Sequence, residues 1–338
     1  MITIAINGFG RIGRRVFRLL QDYKDIQVVA INDLADAKTL SHLLKYDSVH
    51  GRFDGTVTHD EHHIIINDKR VTLLNNKHPK DINWKPFQVD MVIEATGKFK
   101  AKSELQHHID NGAHTVILSV PPIEDDIKTI VMGVNDASID GTETIISNAS
   151  CTTNNAAPMI DVINKLCGIN QAYITTVHSY TTDQSLHDQP HRDLRRSRAA
   201  SQSIVPTTTG AAKALTKIFP ELSNVIGGCG IRVPVINGSL TDITFNVKKT
   251  VSIETINNAF KNAAENQYKG VIEYTNDPIV SIDIVGNTHS CIFDSDMTSV
   301  IGNMVKIIGW YDNETGYSKR IIDLICNLSV KKRVLSIK

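Results

Sequence analysis

The sequence of 338 residues lacks C-x-x-C pairs, long apolar runs, net charge and internal repeats. Its five cysteines, Cys151, Cys167, Cys229, Cys291 and Cys326, are odd in number and widely spaced. That argues against a disulfide framework or a cysteine-based zinc site and fits a reducing compartment. No apolar stretch reaches the roughly 18 residues of a membrane helix, so no membrane partner is expected. Lys plus Arg and Asp plus Glu stand at 36 each, so the formal net charge is zero. Such a balance gives no reason to expect nucleic acid or an anionic membrane surface as a partner, although local basic patches for a small anion stay open. The opening "MITIAINGFG" has no basic n-region and no long apolar h-region, which predicts that there is no signal peptide. No low-complexity segment interrupts the chain.

What is present describes an ordinary globular protein, with 41% hydrophobic and 21% charged residues over a length that predicts two domains. The first half alternates buried-strand and helix patterns. "ITIAI" (2–6) and "IQVVAIND" (26–33) flank a helix-like "RIGRRVFRLLQ" (11–21), and "DMVIEATG" (90–97) and "HTVILSV" (114–120) flank "KSELQHHIDNG" (102–112). This order predicts a parallel α/β sheet. Beyond residue 151, "YITTVHSYT", "GIRVPVINGSLTDITFNVKKTV" and "VKIIGWYD" alternate apolar and polar residues, the pattern of a largely antiparallel sheet with one wet face. "SIETINNAFKNAAE" reads as a helix capped by Ser252, and "GYSKRIIDLICNLSV" as a closing helix. The long polar segment 181–201 shows no periodicity, and a loop of that length in a compact domain is usually functional or an interface.

Gly8-Phe9-Gly10-Arg11-Ile12-Gly13 is a G-x-G-x-x-G that follows a strand and opens a helix, and the second strand ends in Asp33. Those contexts define a dinucleotide-binding turn. Gly8 supplies the tight turn, Gly10 the close approach of pyrophosphate, Gly13 the helix–strand packing, and Asp33 the acceptor for the ribose hydroxyls. A 2′-phosphate would meet like charge at Asp33, and Leu34 offers no arginine in compensation. The cofactor expected is therefore NAD rather than NADP.

In "SNASCTTNN" (147–155), Cys151 sits among small polar residues where a helix begins, with Ser150 in the capping position. A free thiol has a pKa of about 8.5, and a helix N-terminus and a nearby imidazole would both favour its anion. Local sequence alone leaves Cys151 between a nucleophile and a buried small residue, the reading given to the other four cysteines. Among thirteen histidines, His178 stands out because it ends an apolar strand and enters the polar loop. His59, His62 and His63 lack partners at ligand spacing, so no metal site is expected. Arg195, Arg196 and Arg198 crowd one turn, Thr207-Thr208-Thr209-Gly210 precedes a helix, and Arg232 lies in an apolar strand where an unpaired guanidinium would be costly. These point to anion binding, against the alternative of a solvated face or a subunit contact for the arginines.

"INGFGRIGR", "SNASCTTN", "HSYT", "DLRR", "TTTGAAKA", "RVP" and "DNE-GYS" occur in an order that resembles the phosphorylating glyceraldehyde-3-phosphate dehydrogenases over nearly the whole chain. The resemblance implies an N-terminal Rossmann-type domain (1–150), an α+β catalytic domain (151–315) and a C-terminal helix (316–338) that packs back on the first domain. It implies Cys151 as nucleophile and His178 as base. It assigns Gly8, Gly10, Arg11, Ile12, Gly13, Asp33, Lys77, Thr96, Ser119 and Asn313 to NAD, and Leu34 with Pro190 to the pair typical of NAD users. Ser150, Thr152, Thr209 and Gly210 would take the attacking phosphate, Thr181 and Arg232 the substrate's own phosphate, with Arg196 near both. The substrates implied are glyceraldehyde 3-phosphate and inorganic phosphate, the assembly a cytoplasmic homotetramer with 181–201 at an interface. Erythrose-4-phosphate dehydrogenase is the neighbouring alternative; it would be expected to lack "TTTGAAKA". The sequence departs from the family at Asn155, where a second cysteine is usual, at Thr315, where tryptophan is usual, at "SVPP" after Ser119 and at "NNKHP" around Lys77.

Overall fold

The β-branched run Ile2–Asn7 forms β1, and the chain then turns at Gly8 into helix α1, Arg11–Leu20. This is the start of a computed structural model that describes residues 1–337, with side chains to 335. The chain divides into two compact units, one of Met1–Ile130, Asp136–Ala149 and Ser318–Lys338, the other of Val131–Asn135 and Ser150–Tyr317.

In the first unit β2 (Ile26–Asn32), α2 (Ala37–Lys45), the short hairpin β3 (Tyr46–Asp47) and β4 (Gly51–Arg52), and β5 (Val57–His59), β6 (His63–Ile66) and β7 (Lys69–Leu74) come next. They are followed by β8 (Met91–Glu94), α3 (Lys102–Asp110), β9 (Thr115–Leu118), β10 (Lys128–Thr129) and β11 (Ile145–Ser147). Nine of these strands form one sheet in the order β10-β11-β9-β8-β1-β2-β7-β6-β5. From β10 to β7 every neighbour is parallel. The edge β7-β6-β5 is an antiparallel meander that the alternating helix and strand patterns of the sequence do not announce. Ile4, Ala5, Ile6, Val92, Ile93, Val116 and Ile117 are wholly buried, as expected of strands covered on both faces. The strand order reverses at β1, which pairs with β2 on one side and β8 on the other, so the switch point where open α/β sheets bind ligands lies at Gly8 and just beyond Glu94.

A buried polar chain ties these strand ends together. Glu94, with no exposed surface, accepts hydrogen bonds from Asn7 Nδ2 at 2.5 Å and from the backbone N–H of Thr96 at 2.9 Å. It also accepts from the Thr96 hydroxyl and faces His108 Nε2 at 3.3 Å. The Trp84 indole donates to His108 Nδ1 at 3.0 Å. An indole N–H only donates, so the His108 proton sits on Nε2 and points at Glu94. Asn7 Oδ1 in turn accepts from Asn32 Nδ2 at 2.7 Å.

The second unit contains α4 (Cys151–Cys167), β12 (Ile169–Ser179), β13 (Val205–Thr207), α5 (Ala211–Ile218), β14 (Ile226–Val233), β15 (Ser239–Val247), α6 (Ile253–Glu265), β16 (Ile272–Thr275), β17 (Cys291–Ile301) and β18 (Met304–Tyr311). Its seven-stranded sheet runs β13-β14-β12-β15-β18-β17-β16. Most pairs are antiparallel, but β12–β14 and β16–β17 are parallel. Ser252 caps α6 by accepting from the Thr255 N–H. Helix α7, Thr315–Ile337, outruns the expected closing helix at both ends. From Ser318 it belongs to the first unit, where Ile321, Ile322, Ile325 and Leu328 are buried and Lys332 bonds the Thr115 hydroxyl. Cys167 and Cys291 are buried as expected, whereas Cys229 and Cys326 are only half-buried. Among the described residues no helix is long and apolar enough to cross a membrane.

Glu94→Ala strips the shared acceptor from the buried Asn7 and His108 and from half-buried Thr96. It is expected to destabilise the protein by about 3 kcal/mol, read as a lower denaturant midpoint; a loss of less than about 1 kcal/mol would show that the network is not needed.

Candidate active site

The turn after β1 is shaped by what a side chain would strike. Gly8 has φ +92°, and a Cβ there would lie 2.7 Å from the backbone N of Thr96. A Cβ on Gly13 would meet the Gly8 carbonyl oxygen at 2.2 Å, while one on Gly10 meets nothing within 4 Å. The first and third glycines thus close the turn against the sheet, and the second leaves open room for a ligand. Helix α1 begins without a side-chain cap, and a helix N-terminus favours an anion. Asp33 is held by two backbone donors, Phe9 N to Oδ2 at 2.8 Å and Ala35 N to Oδ1 at 3.0 Å. Each carboxylate oxygen keeps a further lone pair for a ribose diol. These features fit a dinucleotide.

The Arg11 side chain is turned to Asp47, with Nη2 to Oδ1 at 3.0 Å and Nη1 to Oδ2 at 2.5 Å. Its guanidinium is therefore committed to the protein, and Arg11 and Ile12 can serve a pyrophosphate through the backbone of the helix start. Thr96 is bound to Glu94, Ser119 is buried at the end of β9, and Lys77 and Leu34 are exposed.

In the second unit, α4 begins where the notable stretch is. Ala149 has φ +57°, a left-handed conformation that costs a non-glycine residue energy and that clusters at functional sites. Ser150 then caps α4, its Oγ accepting from the Thr153 N–H at 3.1 Å. Cys151 is the first residue of the helix, and Pro158 sits inside it without ending it. His178 stands near the end of β12, with Nε2 3.4 Å from Cys151 Sγ. On the other side of the ring, Nδ1 lies 2.7 Å from the Ser179 carbonyl oxygen and 2.6 Å from Arg232 Nη1. Tyr311 packs edge-on to the imidazole, 5.9 Å between centroids, and its hydroxyl binds the hydroxyls of Thr152 at 3.0 Å and Thr176 at 2.9 Å.

Electrostatics here differ from the expectation of a ready thiolate. Burial raises the Cys151 pKa, against the pull of Arg232, although the thiol sits at a helix N-terminus. Burial, followed by the charge of Arg232, lowers the His178 pKa to about 3. Both directions favour the neutral forms, a thiol beside an imidazole, and a neutral imidazole is a base.

Asn313, at the end of β18, has its oxygen engaged by three donors: Ser179 Oγ at 2.9 Å, Ser239 Oγ at 2.9 Å and the Gly238 N–H at 3.2 Å. Its amide NH2 is thereby aimed away from them, as a donor for a carbonyl group. Arg196 is shared among Asp183, Thr207 Oγ1 at 2.9 Å and the Thr208 carbonyl at 3.5 Å. Thr209 Oγ1 accepts from the Ala211 N–H at 3.2 Å at the start of α5, whose N-terminal position is Gly210. Cys151, His178, Arg232 and, through Tyr311, Thr152 are thus one cluster. Arg196 joins Thr207 and Thr208 in another, and no hydrogen bond links Thr181 to either. Segment 181–201 carries no helix or strand.

Two family descriptions match the chain: the NAD binding domain of glyceraldehyde 3-phosphate dehydrogenase over residues 2–102, and its C-terminal domain over residues 150–313. Similar proteins include glyceraldehyde-3-phosphate dehydrogenase 1 of Bacillus cereus, 47% identical over 98% of this chain and 99% of its own length. Glyceraldehyde-3-phosphate dehydrogenase 2 of Streptomyces avermitilis is 50% identical over 96% and 97%. The enzyme of that name from Geobacillus stearothermophilus is 48% identical over 98% and 99%. The chain belongs to the glyceraldehyde-3-phosphate dehydrogenase family.

Against the family pattern, Asn155 takes a structural role. Its Nδ2 faces the carbonyls of Ser290 at 3.1 Å, Gly309 at 3.3 Å and Trp310 at 3.2 Å, tying α4 to the strand that carries Tyr311. Thr315 is fully buried, and its N–H donates to Asp312 Oδ1 at 2.8 Å, so this position works as a helix start rather than as an aromatic cover. Tyr311, Thr176 and Asp183 are members of the clusters that sequence reasoning missed. The mid-sheet hydroxyls gave no signal, although Asp183 lies in the polar loop already singled out.

Asp33→Asn keeps the shape but removes the charge expected to receive a ribose. Affinity for NAD should fall at least about tenfold, measured by calorimetry, while NADP binding should fall less or rise. An equal loss for both would detach Asp33 from the ribose.

Proposed function

We propose that the chain oxidises D-glyceraldehyde 3-phosphate with NAD and inorganic phosphate to 1,3-bisphosphoglycerate, through a thioester on Cys151. The observation that carries this reading is the Cys151 Sγ–His178 Nε2 contact at 3.4 Å, at the start of α4, in a chain that also has a dinucleotide-binding turn. NAD, when bound, supplies the acceptor for the hydride of the substrate's aldehyde carbon. Gly8, Gly10, Arg11, Ile12, Gly13, Asp33, Lys77, Thr96, Ser119 and Asn313 are the residues assigned to hold it.

His178 takes the thiol proton, the sulfur bonds the aldehyde carbon, and the imidazolium returns that proton to the alkoxide so formed. The imidazole then removes the hydroxyl proton of the resulting hemithioacetal as hydride departs, which leaves an acyl thioester. The thioester conserves the oxidation energy that hydrolysis would dissipate. An oxygen of inorganic phosphate attacks the acyl carbon, the C–S bond breaks, and the thiol is restored. Thr181 and Arg232 are assigned to the substrate's phosphate, Ser150, Thr152, Thr209 and Gly210 to the attacking phosphate, and Arg196 to the region of both. The Thr152 hydroxyl already bonds Tyr311, so its backbone N–H in the first turn of α4 is its contribution to an anion. Exposed Leu186 and Leu194, at 68% and 81%, and Ile204 at 70% favour a homotetramer with the 181–201 segment at an interface. A cytoplasmic location fits the widely spaced, unpaired cysteines.

The intact "TTTGAAKA" segment and the names of the relatives favour this reading over the erythrose-4-phosphate alternative. NADH formation from glyceraldehyde 3-phosphate should depend on inorganic phosphate; turnover indifferent to phosphate would remove the acyl-phosphate step. Cys151→Ala should abolish turnover while NAD still binds. His178→Asn should lower kcat by about 10²–10⁴-fold, and a near-normal kcat would take the base away from His178.

A further inference from the structure

Four hydrogen-bond donors converge on Glu94, and groups of fixed polarity behind them set the sense of each. The Asn76 N–H donates to Asn32 Oδ1 at 2.8 Å, and Asn32 Nδ2 donates to the Asn76 carbonyl at 2.9 Å, which leaves its second amide proton for Asn7 Oδ1. Asn7 therefore presents its NH2 to Glu94 Oε2 at 2.5 Å. The Lys98 N–H donates to the Thr96 hydroxyl oxygen at 3.1 Å, leaving that hydroxyl's own proton for Glu94 Oε1. The same Oε1 accepts the Thr96 N–H at 2.9 Å. The Trp84 indole keeps the His108 proton on Nε2, 3.3 Å from Oε2. Four donors suit a carboxylate that has no proton of its own, so Glu94 is held as the anion. With Nδ1 taken by an indole N–H, His108 is neutral, and it is the only ion-pair partner of Glu94 among the described residues. Glu94 has no exposed surface. It is a buried negative charge with hydrogen bonds but no counter-cation. Lys77 and Lys98 are exposed, where solvent screens their charge.

That charge has a definite place along the sheet. Asp33, which follows β2, is expected to receive the adenosine ribose, and the pyrophosphate is expected at the Gly8 turn after β1. Away from β2 the order continues β1, β8, β9. The ends of β8 and β9, with Thr96 and Ser119 beyond them, are then left to the nicotinamide half of the dinucleotide. Glu94 is the last residue of β8. We propose that Glu94 is a specificity-determining residue for the oxidation state of the cofactor: its uncompensated charge selects the cationic nicotinamide of oxidised NAD over the neutral ring of NADH. The rest of the two molecules carries the same charge, so the preference comes from the ring alone. Arrival of the hydride cancels the charge of the ring and with it the attraction, and the same carboxylate then favours exchange of NADH for NAD. The inference rests on the assignment of Gly8, Asp33 and Thr96 to the dinucleotide made above and adds to it a selectivity.

The test is the affinity of the full-length protein for oxidised NAD, NADH and ADP-ribose, measured by calorimetry on the wild type and on Glu94→Gln, which keeps the volume and removes the charge. The affinity for NAD should fall about tenfold more than that for NADH, the order expected for one unit charge acting across roughly 10 Å at an effective dielectric constant of about 20. ADP-ribose has no nicotinamide and should follow NADH. A uniform loss for all three ligands would show that Glu94 only braces the strand ends, and it overturns the proposal. A larger loss for NADH does the same. Asn7→Ala removes one of the donors but keeps the charge, so it should lower the three affinities alike; a change of the NAD to NADH ratio as large as that of Glu94→Gln contradicts the charge. Because Glu94→Gln risks misfolding, the wild-type protein gives an independent reading: it should bind NAD more tightly than NADH, and a preference for NADH refutes the proposal. If Asp33→Asn leaves both dinucleotide affinities intact, the placement of the cofactor fails first. If the Asp33 dependence holds while Glu94→Gln leaves the ratio flat, the selectivity is wrong and the dinucleotide site stands.

Discussion

The chemistry proposed for this chain depends on a sulfur and an imidazole nitrogen held 3.4 Å apart by two consecutive elements, α4 and β12, which meet across only Gly168. One partner is fixed by the first turn of a capped helix, the other by the end of a long strand. A left-handed Ala149 feeds the chain into that helix, and Asn155, one turn along, ties it to the carbonyls of the strand that ends in Tyr311. Tyr311 then closes the side of the ring and joins Thr152 to Thr176. The asparagine that replaces a usual cysteine is thus part of the scaffold of the pair. It leaves Cys151 without a thiol neighbour one helical turn away.

The dinucleotide unit solves a different problem, that of holding a turn open for an anion without filling it. Glycines shape the turn, but the strand ends behind it also need polar groups to be fixed, and Glu94 does this by gathering donors from a strand, the turn after β8 and a helix. Burying such a group is costly unless each partner is satisfied, and here the chain from Trp84 through His108 and Glu94 to Asn7 and Asn32 leaves each member with a partner.

Much of this was legible in the sequence because it is local. The strand-turn-helix grammar around Gly8 to Gly13, the serine caps at positions 150 and 252, and the alternation of the second half depend on residues within a few positions of each other. What was not legible is long-range pairing. Asn7 and Glu94 are separated by 87 positions, and Thr152 and Tyr311 by 159, and no spacing rule connects them. His108 lies within the helix-like "KSELQHHIDNG", where nothing local marks it as buried, and only the folded sheet brings Glu94 and Trp84 to it. Arg232 did give a sign, a guanidinium in an apolar strand, but its partner could not be named from the chain. The thiol shows the limit most clearly. Its local surroundings favour the anion, and enclosure by the rest of the unit reverses the direction.

The most direct measurement of the central claim is peptide mass spectrometry of the protein quenched in acid after mixing with glyceraldehyde 3-phosphate and NAD in the absence of inorganic phosphate. The account predicts a phosphoglyceroyl thioester on Cys151 alone among the five cysteines, formed only when NAD is present. An acyl group on another cysteine, or none on Cys151 while NADH accumulates, would contradict it.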